Sequence, residues 1–242
     1  MPQAIETAYH LVNASNWPSV RNHGLMSARR LLKIYAAKEH DAARRHRPRS
    51  RRLASGVLIR DQRPMPPKAL MRCLKSGLAP EDWFEFLNSK VFFWLEPKRL
   101  NRQRLACGAS PQIALVLNAA RLLTNYSALA TVTPINTGNA LRAAAPRNLT
   151  TFVPYERWLV DGWAYEDIPG ARPRPKNHRP VELAISEAVP DIMDYIVAVV
   201  PLRAGETLSG KRLARLTAHR GVPASCVQSS IGTSGSTTDR LG

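Results

Sequence analysis

Two polar residues stand where an apolar strand would exclude them. His10 lies in "AYHLV" and Glu182 in "RPVELAI". A carboxylate flanked by Val181 and by Leu183-Ala184-Ile185 is costly to bury unless it is paired or used. A carboxylate and an imidazole so placed are candidates for a functional site. The plainer readings put Glu182 on the solvent face of an edge strand and His10 in the core with its hydrogen bonds met.

Other chemistries leave no trace. The sequence has no G-x-G-x-x-G after a strand, no G-x-x-x-x-G-K-[ST], no G-x-S-x-G elbow and no H-E-x-x-H. The six histidines lack metal-ligand spacing. Cys73, Cys107 and Cys226 are odd in number and widely spaced, which argues against a disulfide framework and a zinc site. No metal is expected. No run approaches the roughly 18–20 apolar residues of a membrane span, and "MPQAIETAYH" does not read as a signal peptide. A soluble cytoplasmic protein with no membrane partner is the expectation.

The formal charge is +17 over 242 residues. So basic a chain attracts phosphate backbones, and nucleic acid is the expected partner; a merely solvated basic surface is the alternative. The densest run, "RRHRPRSRR" at 44–52, reads as a solvated loop.

These residues need elements to hold them. A strand at 8–12 leads into a helix-turn-helix, with Asn13, Ser15 and Asn16 as N-cap types and Gly24 as a helix stop. Helices follow near 67–75 and after Pro80, then a buried strand "VFFWLEP" at 91–97 and a helix at about 97–107. "PQIALVLNAARLL" changes from strand to helical turn. Further strands are read in "SALATVT", "LTTFVPY", at 181–186 and at about 194–200, with a proline-rich surface loop at 165–180. Residues 203–242 lose apolar periodicity and read as a peripheral or disordered tail beyond a domain at 1–202.

"YHLVNASNWPSVRNHGLMSA" resembles the opening of DarT-like ADP-ribosyltransferases, and "VFFW", "TPINTG" with "TF", and "PVELAI…VPDI" follow in the order of that group. The resemblance spans roughly residues 8–200. It implies an α+β fold, a split β-sheet with an N-terminal helical insertion, holding NAD⁺ as co-substrate in a cleft. It implies that Glu182 and His10 are catalytic, and that Tyr9, His10, Arg60 and Arg147 contact the dinucleotide, an arginine near its diphosphate. The activity implied is mono-ADP-ribosyl transfer to a nucleic acid, as in a toxin or phage-defence effector with an antitoxin partner. A recognisable base-gripping loop is lacking. The competing reading is a non-catalytic nucleic-acid-binding protein on the same fold. Transfer to a protein side chain is disfavoured, because Pro180 stands where a Glu/Gln-x-Glu motif would begin.

Overall fold

The computed structural model describes residues 4–39, 41–141 and 145–210. The chain divides into Met1–Leu208 and Ser209–Gly242; the first unit is described below, and most of the expected tail, with Cys226, lies outside the described residues.

Seven strands form one antiparallel sheet: β1 Thr7–Asn13, β2 Lys90–Trp94, β3 Gln112–Asn118, β4 Ala130–Thr133, β5 Val153–Pro154, β6 Glu182–Ser186 and β7 Ile196–Leu202. Their order across the sheet is β7-β3-β1-β2-β6-β4-β5. The mixed α+β class read from the sequence is therefore observed. β3 is buried along nearly its whole length, as its apolar run "QIALVL" requires with a strand on either side. Helix α6 (Ala119–Tyr126) begins at once, because the Asn118 side chain accepts from the Arg121 amide as its N-cap.

The joints between strands are unequal. β1 pairs with β3 over seven positions, from Thr7–Asn118 to Asn13–Gln112, but with β2 only at Tyr9–Trp94. Beyond that pair the two strands part, so the sheet divides into β7-β3-β1 and β2-β6-β4-β5, joined at one end. The larger apolar cluster fills one face with Phe93, Leu115, Val132 and Leu183. The other face is covered by α3 (Pro67–Cys73) and α4 (Pro80–Asn88), which bring Leu70, Trp83 and Phe84 against Ala184.

Between β1 and α3 lie α1 (Trp17–His23), α2 (Ala28–Tyr35) and a two-stranded ribbon pairing Arg51-Arg52 with Leu58-Ile59. The basic run is irregular and largely exposed, as the sequence suggested, but it is tethered at Arg44 and Arg47. Arg44 forms ion pairs with Asp82, at 2.6 Å, and Glu85 on α4. Arg47 donates to the Arg60 carbonyl at 2.7 Å and to Asn88 Oδ1 at 3.2 Å, and Asn88 donates back to the Ala43 carbonyl at 2.7 Å. Acceptors on α4, some 40 residues downstream, turn a run of charge into an anchored segment. Burial lowers the Arg47 guanidinium to about 10.

"LTTFVPY" also differs from its strand reading. The Asn148 side chain accepts from the Thr150 amide and hydroxyl, and so caps a 3-10 turn at Leu149–Thr151. Only Val153–Pro154 pairs, before helix α7 (Tyr155–Asp161). Helix α5 (Pro97–Ala106) is where the sequence places it.

Candidate active site

Glu182 is the first residue of β6, opposite Trp94 of β2 on one side and Thr133 of β4 on the other. Tyr9 of β1 is opposite Trp94 in turn. Directly opposed residues share a face, so Tyr9, Trp94, Glu182 and Thr133 make one row across four strands. At strand spacing, Tyr9 and Glu182 are about 10 Å apart. The row crosses the sheet at the last joint before it opens.

The Glu182 side chain is buried at 4% exposure. Its Oε2 accepts three hydrogen bonds: from Thr133 Oγ1 at 3.0 Å, Thr137 Oγ1 at 2.7 Å and the Thr137 amide at 3.1 Å. Its Oε1 accepts none from the described residues. Burial pushes the carboxyl above the usual carboxylate range, while the Thr137 and Thr133 donors and the charge of Arg147 pull it back. Arg147 is 1% exposed and donates Nη1 to the Thr137 carbonyl at 3.0 Å and Nε to the Ala145 carbonyl at 3.0 Å. It therefore holds the residue whose amide and hydroxyl hold Glu182. Its own backbone is fixed between Cys73 and Lys75.

His10 follows Tyr9 and so leaves β1 from the other face, where its ring lies 5.5 Å from that of Phe93. Its Nδ1 is 2.7 Å from the Phe92 carbonyl, across the opening between β1 and β2. A carbonyl only accepts, so Nδ1 carries the proton and Nε2 is left as an acceptor. Nε2 has no partner among the described residues. Burial lowers His10 to about 4; the Phe92 bond opposes the fall and the charge of Arg60 adds to it. The ring is neutral at pH 7. Arg60 also donates to Cys107 Sγ.

The site residues named from the sequence thus fall into two groups beside one joint. Tyr9, His10 and Arg60 attend β1, and Glu182 with Arg147 attends β6. No hydrogen bond joins His10 to Glu182. Thr133 and Thr137 are functional candidates that sequence reasoning passed over, while Trp94, one of the aromatics the sequence offered for stacking, stands in the same row as Glu182. The quoted "TPINTG" contains the first two, but nothing in the sequence says that they would donate to a glutamate 45 to 49 residues away. Thr137 stands against the Glu182 carboxyl, and the cavities at the surface of α4, of about 430 and 220 Å³, include neither His10 nor Glu182 in their walls.

The family model for a family of unknown function, DUF7002, matches residues 6–196. The chain belongs to DUF7002. The DUF7002 match begins one residue before β1 and ends on the first residue of β7, so it contains Tyr9, His10, Arg60, Arg147 and Glu182. No curated protein matches the chain. Among the described residues no helix is long and apolar enough to cross a membrane, and no three or more His, Cys, Asp or Glu residues are grouped to hold a metal ion.

The neutral state of His10 has a measurable consequence. Its folded pKa lies below the ordinary 6.5, so the folded protein resists a proton that the unfolded chain accepts. The stability this gives is complete above pH 6.5 and is lost as the pH falls toward 4, by up to about 3 kcal/mol. His10→Asn, whose amide can still donate to the Phe92 carbonyl, removes that dependence. Urea midpoints at pH 7 and pH 4.5 should therefore fall less in the variant than in the wild type; equal falls would mean that His10 is not held neutral.

Proposed function

We propose that the protein is an NAD⁺-dependent mono-ADP-ribosyltransferase whose acceptor is a nucleic acid. The observation that carries this reading is Glu182: a buried carboxylate with raised proton affinity, beside the single joint of a divided sheet. The division into two halves is what a split transferase sheet would require, and His10 offers a free acceptor nitrogen at the opening.

In this reading the bond between C1′ of the ribose and the nicotinamide nitrogen breaks, and nicotinamide leaves with the electron pair. The sugar becomes oxocarbenium-like, and the Glu182 carboxylate stabilises its charge. The acceptor nitrogen or oxygen bonds to C1′ and passes its proton to Glu182, a transfer that the raised pKa favours. His10 leaves the face opposite Glu182, so in this reading its Nε2 meets the dinucleotide only at the gap between β1 and β2, away from the reacting carbon, while Arg60 supplies positive charge for the diphosphate. Arg147, being buried, orients Thr137 rather than meeting the dinucleotide. The reading requires Thr137 to yield its contact with Glu182 when NAD⁺ enters.

Calorimetric titration with NAD⁺ tests the binding half. Wild type should bind, and His10→Ala should bind about tenfold more weakly, the worth of one hydrogen bond. A wild type that takes up no NAD⁺ contradicts the proposal.

The burial of Glu182 favours a second reading, a non-catalytic nucleic-acid-binding protein on this fold. Salt-sensitive binding of nucleic acid that is indifferent to NAD⁺, with no turnover, would select it.

A further inference from the structure

The segment 28–63 folds about a small core of its own. Leu32 of α2 packs with Leu53 and Ile59 of the ribbon, with Leu31, Tyr35 and Ala43 around them. This stretch holds twelve of the 35 lysines and arginines but only three of the 18 acidic residues. Its acids are largely committed: Glu39 pairs with Arg51 and Asp61 with Arg63. Several of its cations are committed as well: Arg29 pairs with Glu187, Arg44 with Asp82 and Glu85, and Arg47 and Arg60 turn inward. Six others, Arg30, Lys33, Lys38, Arg45, Arg49 and Arg52, are exposed and form no ion pair among the described residues.

We infer that this lobe is the docking surface for the sugar-phosphate backbone of a nucleic acid. Charge left unpaired at this density on a solvated surface lowers stability by self-repulsion, and a polyanion relieves it by releasing its own counterions. The anchoring of the run matters here. Arg47 is fixed to α4, and the Arg47 amide and carbonyl are both bonded to Gln62, so Arg45, Arg49 and Arg52 are presented from a folded support. The lobe carries no aromatic residue beyond Tyr35, and Tyr35 packs inward; contact with phosphate, not base stacking, is therefore its mode. That the bound nucleic acid is the acceptor of transfer rests on the proposed function; the docking itself does not.

The test compares two full-length variants of equal net charge. One carries Arg45→Gln, Arg49→Gln and Arg52→Gln. The other carries Lys98→Gln, Arg102→Gln and Arg172→Gln, three exposed cations outside the lobe. Fluorescence anisotropy with labelled DNA duplex, single-stranded DNA and RNA, in the absence of NAD⁺, reads affinity against salt, and circular dichroism checks that both variants fold. The lobe variant should bind roughly tenfold or more weakly near 0.1 M salt, with a log–log salt slope shallower by about 2 to 3. The control variant should keep wild-type affinity within about twofold. Equal losses in both variants, a loss in the control alone, or a wild type that binds phosphatidylserine vesicles but no nucleic acid would each overturn the inference. Because NAD⁺ is omitted, these outcomes are independent of whether the protein transfers ADP-ribose.

Discussion

Glu182→Gln should lower the proposed transferase turnover by about 10³-fold while making the protein more stable at neutral pH. The two halves of this result have one cause. Gln offers a carbonyl oxygen to the same three donors, Thr133 Oγ1, Thr137 Oγ1 and the Thr137 amide, so the local structure survives. It cannot carry the negative charge that the transition state needs, nor take the acceptor's proton. Burial has raised the Glu182 pKa, so the folded protein holds the carboxyl proton more tightly than the unfolded chain does. The sign then follows from linkage. With the folded pKa above the unfolded one, the stability this group gives is complete below the ordinary carboxylate pKa and is lost as the pH rises through the folded value. Glutamine has no such loss. Thermal midpoints of variant and wild type should therefore converge in acid below the ordinary glutamate range and separate toward neutrality, with the variant higher. A variant less stable than wild type at pH 7 would show that Glu182 holds the fold together and is not a strained catalytic group.

Gly24→Ala should cost about 4 kcal/mol, the largest stability effect expected from a single methyl group here. Gly24 ends α1 with φ +73°, a region that favours glycine, and a Cβ there would stand 2.3 Å from the Val189 carbonyl oxygen and 2.4 Å from Pro190 Cα. Both contacts are backbone and cannot turn aside. The contact exists because Leu25-Met26 pairs with Ala188-Val189, which ties the "HGLM" and "AVPD" segments together. Gly56 is the comparison: its φ is +83°, but nothing lies within 4 Å of an added Cβ. Gly56→Ala should cost only about 1 to 2 kcal/mol, the conformational part alone. At roughly 2–4 °C per kcal/mol for a chain of this length, the two melting temperatures should differ by several degrees. Equal losses would mean that α1 does not sit against Pro190 as described.

Much of the fold was legible because its signals are local. The change from strand to helix at "LVLNAARLL" is written in Asn118, whose side chain is both the end of one element and the cap of the next. Pro80 with Glu81-Asp82 marked α4, and Pro97 marked α5. What escaped depends on register. Nothing local says that Tyr9, Trp94, Glu182 and Thr133 share a row, because sliding one strand by a single residue sends each side chain to the other face. The same limit hid the tie between Arg47 and Asn88, and it put His10 and Glu182 in a single pictured site when they leave opposite faces of the sheet. α7 escaped for another reason. "YERWLV" is too short to show a helical period, and its first residue falls within the strand read in "LTTFVPY"; Tyr155 and Trp158 pack against the core from one turn of helix.

The proposed function is transfer of ADP-ribose to nucleic acid. The most direct measurement is to incubate wild type and Glu182→Gln with NAD⁺ labelled in the adenine moiety and with separate pools of DNA, RNA and protein. Label should appear in a nucleic-acid pool with nicotinamide released in equal amount, and neither should appear with the variant. Label confined to protein would move the acceptor to another class, and intact NAD⁺ in every wild-type reaction would contradict the claim itself.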